Sequence, residues 1–198
     1  MSVLIVYATS KYATIMSDSL ETVYKDENRT ELVKYNENSK KIYKMSDSFI
    51  IGSAGYSSLS NNLIQGVNPQ DPNNSFCTLK NYSYKEFLKF FTTRFNPSHK
   101  RPDSQFCVIV MIGIDDNKIR LDLMNSNDFI PHTTYPNDEQ LACKIYLPKD
   151  IPDSFEKQFA DRLEAANNKE LYCENVIKTI STKSNLVNDK IQKFSVRI

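Results

Sequence analysis

Two periodicities divide this chain, an alternation that suits strands and a three-to-four spacing that suits helices. Ser2-Val-Leu-Ile-Val-Tyr-Ala8 and Tyr12-Ala-Thr-Ile-Met-Ser17 are β-branched and aromatic runs separated by Thr9-Ser10-Lys11, which predicts a hairpin. The stretch from Glu21 to Thr30 is polar and charged. After it, Glu31-Leu-Val-Lys-Tyr35, Lys40-Lys-Ile-Tyr-Lys-Met45 and Phe49-Ile-Ile51 predict three more short strands. Gln105 to Ile114 is apolar almost throughout, as expected of a strand buried on both faces, and Asp115-Asp-Asn-Lys118 turns the chain back into Ile119 to Met124. Asn125 to Gln140 reads as loop, Leu141 to Leu147 as a strand, and Ile191 to Ile198 as a closing strand.

Four segments carry the helical period. Ser57 or Ser58 is placed to cap a helix with Leu59, Leu63, Ile64 and Val67 on one face. Tyr84, Phe87, Leu88, Phe91 and Phe95 predict a second helix within 82–95, after the turn-rich loop Asn68 to Ser75. Asp153-Ser-Phe-Glu156 has capping-box spacing ahead of Phe159, Leu163 and Ala166, and Leu171, Val176, Ile177 and Ile180 predict a fourth helix over 169–181. Helices are thus segregated from antiparallel hairpins. That order predicts an α+β domain over 1–198, with two stacked sheets between helix layers.

Composition narrows the class. Lys and Arg number 25 against 24 Asp and Glu in 198 residues, without a long block of one sign, which argues against a nucleic-acid partner. The longest apolar run is far shorter than the roughly 20 residues of a membrane helix, and no signal-peptide pattern opens the chain. Cys77, Cys107, Cys143 and Cys173 form no C-x-x-C pair, which fits a reducing cytosol. His99 and His132 lack Cys or acidic partners at ligand spacing, so neither a metal nor a cofactor is expected.

The candidate chemistry starts at Ser2. Removal of Met1 would place its hydroxyl beside its own α-amine, whose ordinary pKa of about 7.7–8.0 leaves a useful fraction free to accept the hydroxyl proton near neutrality. Met-Ser beginnings are common, so Ser2 gains weight only from Ser17-Asp18-Ser19, from Lys41 and from Gly52-Ser-Ala-Gly55. A Lys near Ser2 would lower the amine's pKa, and an Asp would hold that Lys charged and oriented. Each residue also has an ordinary use: Asp18 and Ser19 in a turn, Lys41 on a solvated face with Lys40 and Lys44, and the glycines in relieving crowding.

Taken together, the series resembles proteasome β-type subunits and their bacterial relatives, N-terminal-nucleophile (Ntn) hydrolases. Their pattern is a nucleophile opening the first strand, an Asp-Ser pair closing the second, a Lys before an Ile, and a Gly-x-x-Gly turn. Val108 to Asp115 is similar to the family's apolar strand ending in Gly-x-Asp, and the lack of an N-terminal extension helix favours the β-type over the α-type. The resemblance implies a four-layer αββα sandwich. Residue by residue it implies Ser2 as nucleophile, Asp18 as the flanking carboxylate, Lys41 as the buried cation with Lys40 as a possible substitute, and Gly55 as oxyanion donor.

The chain also departs from the family. Leu20 stands where an Arg is usual, and Asn185-Leu-Val-Asn188-Asp189 where Asp-x-x-Ser-Gly supports the amine. Asn185 and Asn188 thereby become the candidate polar supports. A further family serine has no counterpart between Leu147 and Ser154. The implied activity is amide hydrolysis by an N-terminal serine, within a homo-oligomeric ring that admits peptides or unfolded proteins and works with an ATP-driven unfoldase. Two alternatives stand beside it: an assembly subunit without hydrolytic activity, favoured by the two asparagines, and a small-amide acylase.

Overall fold

The computed structural model describes residues 2–24, 32–45, 47–55, 106–125, 130–137 and 141–198. The helices expected after Ser57 and within 82–95, the loop between them and His99 lie outside the described residues. So does much of the polar stretch that ends at Thr30.

The predicted opening hairpin is β1 (Leu4–Ala8) and β2 (Tyr12–Asp18), closed by a 2.8 Å bond from Thr9 N to Tyr12 O. Flanked by β10 (Ala142–Tyr146) and β11 (Ile191–Arg197), it forms an antiparallel sheet of order β10-β1-β2-β11. The second sheet has order β5-β6-β7-β8-β9: Ile42–Lys44, Phe49–Gly55, Cys107–Asp115, Lys118–Asn125 and His132–Thr134. β3 (Glu21–Tyr24) and β4 (Leu32–Asn36) make a separate two-stranded ribbon.

β1 shows how the layers form. Its residues are buried on both faces and alternate between two cores. Leu4, Val6 and Ala8 meet Ile50, Val110, Ile112 and Leu121 of the five-stranded sheet. Val3, Ile5 and Tyr7 meet Phe159 and Leu163 of helix α1 (Asp153–Ala165), and Cys173, Ile177 and Ile180 of helix α2 (Lys169–Ser181). The described layers are therefore helices, sheet and sheet. No described helix is long and apolar enough to cross a membrane.

The structure departs locally from the sequence-based expectations. Glu21–Tyr24 is strand β3, not part of a polar connection: its backbone finds a partner in β4, and pairing outweighs the low strand propensity of Glu. β9 lies inside the segment read as loop; its three residues are exposed and carry little apolar signal, and pairing with Leu121–Leu123 makes them a strand. Gly52-Ser-Ala-Gly55 is not a turn but the end of β6, where a Cβ on Gly52 would stand 2.9 Å from Ile15 Cγ2, so glycine lets the sheets approach. The β7–β8 turn is Asp116-Asn117, both at positive φ, while Asp115 stays in the ladder opposite Lys118. The capping box ahead of α1 does not form: Pro152 is the N-cap, without a side-chain cap, and Glu156 pairs with Lys144 of β10. α2 is capped by Asn168, whose side chain accepts from Leu171 N.

Candidate functional site

Asp18 gathers the site. It ends β2, is wholly buried, and its carboxylate accepts three bonds: Oδ1 from Val3 N at 3.0 Å, and Oδ2 from Leu20 N at 2.9 Å and Lys41 Nζ at 2.9 Å. The Val3 bond ties the backbone next to Ser2 to the carboxylate. Ser17 assists from the same strand, its hydroxyl donating to Val3 O at 2.7 Å. Continuing the β1–β2 register, in which Leu4 faces Ser17, sets Val3 opposite Asp18 and Ser2 opposite Ser19.

Lys41 precedes β5 and is 7% exposed. Besides Asp18 its ammonium donates to Leu20 O at 2.5 Å, and its backbone N–H donates to Gln192 Oε1 at 3.0 Å. Burial pushes its pKa below the ordinary lysine value, against the opposing pull of Asp18. Lys40 is placed differently, exposed with its ammonium 4.8 Å from the Tyr43 ring centroid. Of the two lysines, it is Lys41 that reaches Asp18.

Gly55 closes β6 at φ +107°, paired with Cys107. A Cβ there would fall on the Phe106 carbonyl oxygen and 2.7 Å from Cys107 Cα, so both conformation and space require glycine. A bond of 3.0 Å from Ser53 N to Lys41 O joins this strand end to the lysine. Ser2, Asp18, Lys41 and Gly55 thus share one end of the sandwich. Ser2 is 8% exposed, and among the described hydrogen bonds none joins its hydroxyl to Asp18 or Lys41.

The two asparagines part company. Asn188 Oδ1 accepts from Ser19 N at 3.0 Å, and its amide donates to Ser19 Oγ at 3.2 Å and Glu37 O at 3.1 Å, bracing the residue after Asp18. Asn185 is exposed in the turn after α2. Sequence reasoning missed Gln192, whose amide bridges Lys41 N and, at 2.6 Å, Ser39 O. Its only signal was a long polar side chain in a closing strand, a position that usually faces water.

A second buried ionic cluster was also missed. On β8, Arg120 Nε donates to Asp122 Oδ2 at 2.7 Å and its NH1 to Asp115 Oδ2 at 2.8 Å, while Tyr135 OH and Thr133 Oγ1 donate to the same two carboxylates. Its members run along β7 and β8 from the level of Met111 to Asp115, about 13–26 Å by strand rise from Gly55's partner Cys107.

No protein-family model matches the chain, and no curated protein does. Among solved structures, eukaryotic HslV from Trypanosoma brucei is similar over 99% of this chain and 99% of its own, with a TM-score of 0.61 and 10% identity. At that identity the likeness speaks for architecture, and it agrees with the stacked sheets and flanking helices described above. The fold is accordingly an α+β sandwich similar to that of HslV.

Proposed function

We propose that the chain is an amide-bond hydrolase of the proteasome-like type, with Ser2 as nucleophile once Met1 has been removed, acting on peptides. The observation that carries the reading is the buried Asp18–Lys41 pair bonded to the backbone of Val3, beside the proposed nucleophile. Ser2 Oγ attacks the substrate carbonyl and its proton passes to the α-amine, whose pKa the neighbouring Lys41 charge depresses. The oxyanion is held by the Gly55 N–H, a donor type whose loss typically costs about 10²–10³ in rate. The amine passes the proton to the leaving nitrogen, and water then hydrolyses the ester, restoring the Ser2 hydroxyl and releasing the acid. The proposal includes the full αββα arrangement and a homo-oligomeric ring, which the likeness to HslV supports; a cytoplasmic setting and an ATP-driven unfoldase partner belong to the same reading.

An assembly subunit without hydrolytic activity is the second reading. It is favoured by Asn185, which is turned to solvent, and by Asn188, which is engaged with Ser19 and Glu37. Intact-protein mass before and after exposure to an epoxyketone, which needs both hydroxyl and free amine, separates the two. The hydrolase gives a Met-less chain with one adduct, lost in Ser2→Ala together with peptide turnover. Turnover that survives Ser2→Ala in a clean preparation would sink the nucleophile assignment.

A further inference from the structure

Residues 37–41, the segment that brings Lys41 to Asp18, lie between β4 and β5. Every second residue leading into β11 reaches across to this segment. Asn188 donates from its amide to Glu37 O at 3.1 Å, Lys190 Nζ meets Glu37 Oε2 at 2.8 Å, and Gln192 takes the stretch that ends in the lysine. Its Nε2 donates to Ser39 O at 2.6 Å, and its Oε1 accepts from Lys41 N at 3.0 Å and Ile42 N at 3.4 Å. A backbone C=O and the N–H two residues further on are the groups that a neighbouring parallel strand bonds, so this side-chain amide takes the place of a peptide group. Held in that way, the chain buries Ser39 and Lys41 and leaves Lys40 exposed between them.

The same strand also sets Asp18. Ile191 pairs with Asp18 and Gln192 with Ser17 in the β11–β2 ladder, and Gln192 shares the face of Phe194 and Val196, which pack between the sheets. β11 thus holds the carboxylate through its backbone ladder and the lysine through one side chain. The ammonium itself is bonded to Asp18 Oδ2 and Leu20 O, and the charged groups acting on it are Asp18 of β2 and, less strongly, Glu21 of β3. We propose that Gln192 is a positioning residue of the site: it fixes Lys41 at Asp18 and thereby sets how strongly the lysine charge acts on the Ser2 amine. The effect on Ser2 rests on the hydrolase reading, whereas the effect on Lys41 stands without it.

The test is the pH profile of epoxyketone labelling per folded molecule in Gln192→Met, which keeps the side chain's length and removes its amide. With Lys41 less firmly placed, its charge bears less on the amine, whose pKa moves up towards the ordinary value of about 7.7–8.0. The acid limb should shift up by about 1 pH unit, so that labelling at pH 6 falls about tenfold while labelling at pH 9 stays within about twofold. An unmoved limb, or a loss uniform in pH, overturns the proposal. Lys190→Ala loosens the same segment at Glu37 alone and should leave the limb in place; an equal shift there would assign the effect to the segment and overturn the role of Gln192. Gln192→Asn, whose amide is one methylene too short to span Ser39 O and Lys41 N, is read in the same way should Gln192→Met not fold. Should the wild-type chain neither cleave any peptide nor take an epoxyketone, the hydrolase reading fails, and Gln192 is judged on Lys41 itself. The Lys41 Cε resonance, assigned by its absence in Lys41→Met, should titrate below 10.5 in the wild-type chain and move up towards that value in Gln192→Met. A titration that does not move overturns the proposal.

Discussion

The molecule buries two ionic clusters, and they use different cations to different ends. Asp18 and Lys41 form a one-to-one pair in which the ammonium is a point charge with a backbone carbonyl as its second partner. Arg120 stands between two carboxylates, meeting Asp122 through two nitrogens and Asp115 through a third. Burial weakens the charged form of both cations. For Lys41 burial prevails and the pKa falls; for Arg120 the bonds to Asp122 and Asp115 outweigh it, and the pKa rises above the usual guanidinium value. A fork that fits two carboxylates locks strands together, whereas a depressed lysine is sensitive to what stands next to it. The cluster that can be tuned lies beside Ser2, and the locked one joins β7 to β8.

Deleting one partner of the smaller cluster should have the largest effect. Lys41→Met leaves Asp18 buried without its counter-charge, and breaking such a pair costs about 3–5 kcal/mol. The urea midpoint should fall accordingly, and epoxyketone labelling of Ser2 should fall with it even under conditions where the variant stays folded. A variant of wild-type stability would mean that Asp18 is served by its two backbone donors alone.

Arg120→Lys sharpens the contrast because charge is kept and only the fork is lost. One ammonium cannot reproduce the bonds to both carboxylates, and a charged hydrogen bond contributes about 1.5–3 kcal/mol. A midpoint shift of that size, with peptide turnover per folded molecule unchanged, is the expected outcome. Reduced turnover at full folding would tie this distant cluster to the site.

That the sequence exposed one cluster and concealed the other has a physical reason. Asp18 closes a strand with an obvious hairpin partner and Lys41 precedes an equally clear one, and it was the resemblance to proteasome β-type subunits, carried on those positions, that implied both near Ser2. The sequence did not distinguish Lys40 from Lys41: two adjacent lysines look alike until the strand fixes which of them points inward. Arg120 and Asp122 were hidden because i and i+2 polar residues in a strand ordinarily mark its solvent face, and nothing local says that this face is buried. Tyr135, Thr133 and Gln192 join through pairings that only the tertiary fold creates. β9 and the Pro152 cap were missed for a related reason, since pairing and packing override weak propensity.

Alkaline titration sets Lys41 against the buried thiols and phenols. Lys41, depressed below 10.5, loses its proton in the native state first, so its contribution makes stability rise with pH up to about 10.5. Cys173 behaves oppositely: burial raises its pKa from 9.0 to about 12, the unfolded chain ionises first, and stability falls from pH 9 upward. Tyr7 and Tyr146, each raised by burial from 10.0 to about 12, add to the loss above pH 10. Above pH 10, where the phenols join the thiols of Cys173 and Cys143 against Lys41, the midpoint should drop. In Cys173→Ala the slope between pH 9 and 10 should be less negative than in the wild-type chain, by up to about 1.4 kcal/mol per pH unit; no change in slope would remove Cys173 from this balance.

The smallest effect belongs to the exposed counterpart of both clusters. Lys193 on β11 bonds to Glu170 and Glu174 of α2, a geometry as close as that of the buried pairs, and these contacts raise its pKa. Water screens this triad and the long side chains lose entropy in forming it, so the pairing should contribute no more than about 1 kcal/mol. Lys193→Ala should shift the urea midpoint by less than any change above, and 0.5 M salt should shrink the shift further. A loss comparable to that of Lys41→Met would show that the contact between β11 and α2 depends on this lysine, and that closeness of charge rather than burial sets the scale in this fold.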